Sequence, residues 1–304
     1  MGEDPAVNRP PGAGRTPARP PVPGARLLFS GKVRDVYEAG PERLVLVATD
    51  NLSAFDVVLP TPVPGKGQVL TRVSAFWFRT LRSAVPHHLL STRVAEFPEP
   101  FCRHPELLAD RAMLVRRTRR IDLECVVRAR LTGSGYQDYR ATGAVAGVAL
   151  PPGLADGERL PRPLFTPASK SASGHDQNLT WDGAVGQVGR ARAEALRARS
   201  VELFEEAAAA CRARGLELVD TKFEFGEAGA ELVLIDELLT PDSSRVWELG
   251  PDGRPRQALD KQFVRDYLET LDWDKTAPGP ELPPAIVART QELYREAERR
   301  LTAG

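Results

Sequence analysis

Three cysteines, Cys102, Cys125 and Cys211, are too few and too far apart for a disulfide framework, and no CxxC spacing offers a zinc site. That usage fits a reducing compartment with buried or incidental thiols. A surplus of one charge is also missing. Lysine plus arginine and aspartate plus glutamate both number 41, so nothing points to a nucleic-acid polyanion as principal partner. A small molecule is expected instead. No apolar run approaches the roughly 18 to 20 residues of a membrane span, and the first residues have no hydrophobic signal core. The cytoplasm is the expected location. Lysine is scarce, occurring at 32, 66, 170, 222, 261 and 275, so most basic charge is arginine.

What is present is enough chain, 304 residues, for a large core and two domains. Residues 1 to about 25 are rich in Pro, Gly, Ala and Arg without apolar periodicity and read as a disordered tail. From Arg26 the pattern is a β-meander, Leu27 to Phe29, Val33 to Tyr37 and Arg43 to Thr49, with a first turn at Ser30-Gly31-Lys32. A turn glycine lets backbone amides approach an anion, and Lys32 and Arg34 would share a face of the next strand, an arrangement able to cradle phosphates. It is not a Walker loop, since Arg26 and Val33 stand where that motif needs glycine and a hydroxyl residue.

Val69 to Val85 reads as an amphipathic helix with its aromatics in the core, and His87 and His88 as surface loop. Ala112 to Thr118 and Leu123 to Leu131 read as strands across a turn. The second runs into Thr132-Gly133-Ser134-Gly135, where Arg128 and Ser134 could meet a phosphate or simply form a salt-bridged face. Residues 151 to 182 look irregular, with Lys170, His175 and Asp176 among them. Ala184 to Arg214 reads as a long helix, broken once, and helices are expected near Lys261 to Leu271 and Pro284 to Leu301.

The densest chemistry lies in Leu218 to Arg245. A strand over Leu216 to Phe225 would set Asp220, Lys222 and Glu224 on one face and Val219, Thr221, Phe223 and Phe225 on the other. A second strand, Glu231 to Ile235, ends in Asp236 and Glu237, followed by Thr240-Pro241-Asp242-Ser243-Ser244-Arg245. The hairpin is either a solvated edge or a site that holds a hard cation through oxygens and an anion through arginine.

Six segments in this order resemble the SAICAR synthetase (phosphoribosylaminoimidazole-succinocarboxamide synthase) family: SGKVRDVYE (30–38), TDNLSAFD (49–56), ECVVRARLTGSGY (124–136), FTPASKSASGHDQN (165–178), LVDTKFEFG (218–226) and DELLTPDSSR (236–245). Asp122 and Ala129 depart from its commoner residues without removing a ligand group. The resemblance implies an α+β, two-domain, ATP-grasp-related fold with antiparallel sheets. Residues 26–118 would be the smaller β-rich domain and 119–304 the larger α+β domain, with ATP between them. It also implies ATP-dependent joining of L-aspartate to carboxyaminoimidazole ribotide.

By the same resemblance, Gly31, Lys32 and Arg34 would hold ATP phosphates, Glu224 and Asp236 magnesium, and Arg128, Ser134 and Arg245 the ribotide phosphate. Lys222 would stand by the transferring phosphoryl group, and Lys170 and Asp176 by the imidazole carboxylate and the aspartate amine. The roles of Asp220 and Glu237 stay open. The longer form of the family favours a monomer. Two other readings compete, a small-molecule kinase on a related fold and a non-catalytic arginine-rich binding module. For Glu224 and Asp236 to share an ion, the hairpin needs a three-residue loop over Gly229 to Glu231 or a bulge near Asp236.

Overall fold

Strand alternation and turn chemistry sort most of the strands into two antiparallel sheets in a computed structural model that describes residues 21–81, 85–169, 177–252 and 255–303. The first sheet has five strands in the order Leu27–Ser30, Arg34–Glu38, Arg43–Ala48, Ala112–Arg116 and Leu89–Ser91. Its opening meander follows the sequence pattern, because alternating Val, Leu and Tyr residues bury one face against Phe97, Phe101 and Leu108. Order begins earlier than the composition implies. Val22, in the expected tail, is 4 % exposed in this core. A lone valine among prolines has no period to betray it.

The second sheet has eight strands. Its main path runs Glu158–Phe165, Leu123–Leu131, Leu216–Ala228, Ser244–Leu249 and Pro255–Ala258, while Arg119–Arg120, Ala168–Ser169 and Glu231–Ile235 pair off this path. Leu216–Ala228 is therefore a central strand, and the solvated-edge alternative fails. Its apolar face, with Val219, Phe223 and Phe225 fully buried, lies against helix Arg190–Ala213. That helix presents Ala193, Leu196, Ser200, Leu203, Phe204, Ala207, Ala208 and Cys211 at helical spacing. Each buried phenylalanine contributes about 1.5–3 kcal/mol relative to exposure, so this apolar layer anchors the opposite, polar face.

Three expectations need correction. Ala112–Arg116 and Leu123–Leu131 belong to different sheets and are not a hairpin. Residues 151 to 182 are not wholly irregular, since Glu158–Phe165 is a strand whose register shifts between Arg159 and Leu164. Pro161 and Pro163 sit in that shift, where no ladder hydrogen bond is required of them. His88 is no surface residue, being 3 % exposed.

By chain contacts the molecule divides into two units. One comprises the described residues up to Ala75, Leu89–Arg117 and Lys261–Glu298; the other comprises Phe76–His88, Thr118–Asp260 and Arg299 onward. The chain passes from the first unit to the second near residue 118 and later returns. Helices Gln262–Glu269 and Pro284–Leu301 supply Val264, Leu268, Ile286 and Val287 to a core with Leu52, Leu59 and Val63, which draws most of this C-terminal segment into the first unit.

Candidate functional site

The polar face of the second sheet begins with cross-strand register. Arg128 stands opposite Asp220, Val126 opposite Lys222 and Cys125 opposite Phe223; continuing that register puts Glu124 opposite Glu224. Like charges facing each other in a sheet repel, and here both carboxylates are buried, at 7 and 5 % exposure. Lys222 resolves the conflict. Its Nζ lies 2.8 Å from Glu124 Oε1 and 2.6 Å from Glu224 Oε1. Burial disfavours the ammonium, but Glu224, Glu124 and Asp236 outweigh it and hold its pKa well above the ordinary lysine range. Glu124 is a site residue that sequence reasoning missed, although it opens the quoted ECVVR segment.

Asp236 reaches this cluster by an unexpected route. The hairpin turn has two residues, with Ala228 opposite Glu231 and Glu224 opposite Ile235, and the ladder has no bulge. The three-residue loop expected from the sequence is therefore wrong. Gly229, at φ 66°, supplies the left-handed backbone that a short hairpin turn needs. Strict alternation would send Asp236 to the other face, but Asp236 itself has φ 65° and leaves the strand geometry there. Its charge then acts on Lys222.

Two carboxylates on one ammonium, with the charge of Asp236 acting on it as well, leave a surplus of negative charge that suits a divalent cation. Among the described residues, no group of three or more His, Cys, Asp or Glu could hold a metal unaided. Magnesium seldom needs such a cage, since one or two carboxylates, waters and substrate phosphates complete its octahedron. Glu224 and Asp236 fit that pattern. Glu237 accepts a 2.6 Å hydrogen bond from Thr240 Oγ1, and the Thr240 and Ser243 hydroxyls accept from each other's backbone amides, which ties down the loop after the hairpin.

At the other end of the face, Asp220 lies between two arginines from the neighbouring strands. Its Oδ2 accepts from Arg128 Nη1 at 2.9 Å and from Arg245 Nη1 at 2.6 Å. Arg128 also donates to Thr166 Oγ1 and Ser134 Oγ, each at 3.0 Å. Burial and the like charge of Arg245 lower the Arg128 pKa, with Asp220 opposing, while Asp220 raises that of Arg245; both guanidiniums stay charged. The two guanidiniums bracket Asp220 beside the start of helix Gly133–Thr142, with Asp138 also acting on Arg128 and Asp260 and Asp156 on Arg245. Gly133 and Gly135 admit the arginines. A Cβ on Gly133 would overlap the Arg245 guanidinium, and one on Gly135 would lie 3.2 Å from Arg128 Cδ. Among the described residues, Arg245 Nε is buried without a hydrogen-bond partner, so the cluster holds a spare donor.

The residues predicted to hold ATP phosphates belong to the first unit. Gly31, Lys32 and Arg34 share one turn of the first sheet, closed by Gly31 N donating to Arg34 O at 2.7 Å. Lys32 Nζ pairs with Asp56 Oδ1 at 2.6 Å, which ties the SGK turn to the TDNLSAFD segment. Lys170 and Asp176 fall outside the described residues.

Comparison with known proteins identifies the family. The family model described as SAICAR synthetase matches residues 27–280. Phosphoribosylaminoimidazole-succinocarboxamide synthase from Methylococcus capsulatus is 56 % identical over 285 residues, covering 91 % of this chain and 94 % of the relative. The enzyme of that name from Pelobacter propionicus is 47 % identical, covering 92 and 95 %. Among solved structures, the SAICAR synthase of Saccharomyces cerevisiae complexed with SAICAR superposes with a TM-score of 0.82 at 36 % identity, over 94 % of this chain and 98 % of that one. The Ehrlichia chaffeensis enzyme, 20 % identical with a TM-score of 0.69, shares the fold. By family model, sequence identity and architecture alike, the chain belongs to the SAICAR synthetase family.

Proposed function

We propose that this protein is the ATP-dependent ligase of purine biosynthesis that joins L-aspartate to the carboxylate of carboxyaminoimidazole ribotide, giving SAICAR, ADP and phosphate. The small-molecule kinase alternative is not favoured. The observation that carries the site assignment is the spacing on one strand. Asp220, with its arginines, and Glu224, with its acid cluster, are four residues apart on the same face, a separation of roughly 13 Å at 3.3 Å per residue. A ribotide carries a phosphate at one end and its reacting carboxylate at the other, and such a strand offers a partner for each end.

Arg128, Arg245 and Ser134 would grip the ribotide phosphate, with Asp220 holding the two guanidiniums in place. Gly31, Lys32 and Arg34 would hold the ATP phosphates. Glu224 and Asp236, with Glu124 beside them, would hold magnesium, which when bound neutralises charge on the phosphates. Lys222 neutralises the acids and stands where the phosphoryl group transfers. A carboxylate is a poor electrophile. One of its oxygens attacks the γ-phosphorus, the bond to ADP breaks, and an acyl phosphate forms. The aspartate amine then attacks the acyl carbon, phosphate leaves, and the amine proton passes to a base, for which Asp176 is the assignment, with Lys170 positioning the carboxylate. Cys125 and Cys211 take no part: both are buried free thiols, and burial pushes each up to about 12.

Incubation with magnesium, ATP and the ribotide, with and without aspartate, tests the reading. SAICAR and ADP should form together only when aspartate is present. ADP production indifferent to aspartate, with no amide product, would overturn it.

A further inference from the structure

His88 reads from the sequence as half of an exposed His-His pair. In the structure it is a buried strut under Asp236. The segment from Pro86 to His88 lies along the free edge of Glu231–Ile235: Leu234 N donates to Pro86 O at 2.8 Å, and His88 N donates to Leu234 O at 3.0 Å. The edge of the hairpin is thereby paired up to the residue before Ile235. Beyond Ile235 the ladder stops, because Asp236 turns to a left-handed φ of 65°, a conformation that disfavours any side chain with a Cβ. At that point the imidazole takes over from the backbone. His88 Nε2 lies 3.1 Å from the Asp236 carbonyl oxygen, and since a carbonyl can only accept, Nε2 carries the hydrogen. The ring is 3 % exposed and packs 5.5 Å from the Phe78 ring. Its own orientation is therefore held by packing as well as by hydrogen bonding.

From this geometry we infer that His88 is a positioning residue for the metal site: it fixes the peptide after Asp236 and so aims the Asp236 carboxylate at the Lys222–Glu224 group. The inference rests on the proposed magnesium site, and goes beyond it by naming what makes the left-handed acid available. Alternation alone would turn Asp236 away from Glu224. The backbone reversal that brings it back needs a partner for its carbonyl, and His88 supplies that partner from a segment more than a hundred residues away in sequence. Groups that hold a metal ligand in place commonly change metal affinity by roughly 10–100-fold when removed.

The experiment titrates Mn2+ into the full-length protein in the presence of ADP and reads free Mn2+ by electron paramagnetic resonance. His88→Phe keeps a ring without the donor, and His88→Gln keeps an amide N–H at nearly the reach of Nε2. Glu224→Gln serves as the control for the metal site itself. His88→Phe should weaken Mn2+ binding about tenfold or more. ADP affinity measured without metal should stay unchanged, and His88→Gln should restore most of the Mn2+ affinity. In turnover, excess magnesium should rescue His88→Phe, because the acids themselves remain. A merely structural histidine would lower the melting temperature of His88→Phe and leave its Mn2+ affinity at the wild-type value. That result would overturn the inference while leaving the metal site standing, provided Glu224→Gln loses Mn2+. If Glu224→Gln binds Mn2+ as the wild type does, the metal site is wrong and the role of His88 falls with it.

Discussion

Lys222 already holds two buried carboxylates at 2.8 and 2.6 Å, so a cation on Glu224, as proposed, would share it with an existing ion pair. Glu224→Gln preserves shape and leaves the Lys222–Glu124 pair intact. The fold should survive, with an unchanged melting profile, while kcat/KM falls by about 100-fold or more, equivalent to about 2.7 kcal/mol of lost transition-state stabilisation. Near-normal turnover would remove Glu224 from the metal site. Arg245→Ala removes a charged donor worth about 1.5–3 kcal/mol, so the ribotide KM should rise about tenfold or more. Its half-saturating magnesium concentration should not move, and steady-state kinetics with ribotide and magnesium varied separately checks both. Asp220, Lys222 and Glu224 were legible as one face because a strand has period two. Glu124 was not, since its place opposite Glu224 depends on register between strands nearly a hundred residues apart. The function of Asp220 was hidden for the same reason, because the arginines it joins come from two other strands.

Among the elements, those with strong local patterns were readable and those shaped by distant partners were not. The opening meander, the Glu231–Ile235 strand and the Pro284–Leu301 helix follow their periodicity. The long helix expected to break once does so, and the structure puts the break at Gly189. Strand Glu158–Phe165 was obscured by its prolines, and the burial of His88 by a pairing that no local signal announces. The hairpin is the instructive case. Counting residues around a turn cannot reveal that Asp236 takes a left-handed φ. Two glycines separate the cost of backbone strain from the cost to the site. Gly229→Ala meets nothing within 4 Å, so only its positive φ is strained, and stability should fall by about 1–2 kcal/mol with ribotide KM unchanged. Gly133→Ala adds a Cβ that collides with the Arg245 guanidinium, so it should raise ribotide KM as well as lower the melting temperature. Equal ribotide KM values for the two variants would detach the helix start from the phosphate site.

For the whole molecule, the antiparallel α+β architecture and the six ordered segments were legible from the chain alone, and the family match spans residues 27–280. Which unit the C-terminal helices join was not legible. The helices after Lys261 carry amphipathic patterns that state what they bury but not against which unit, and Val264 and Leu268 find their core with Leu52 and Leu59. Zero formal net charge is consistent with a protein whose charges are gathered locally, acids around Lys222 and arginines around Asp220, instead of spread as one field. The central claim is that this local sorting makes one strand serve a metal at one end and a phosphate at the other. A crystal structure with magnesium, a non-hydrolysable ATP analogue and the ribotide tests it most directly. The account predicts an ion about 2.0–2.1 Å from carboxylate oxygens of Glu224 and Asp236, with the ribotide phosphate on Arg128 and Arg245. An ion bound away from both carboxylates, with Glu224 still closed on Lys222, would contradict it.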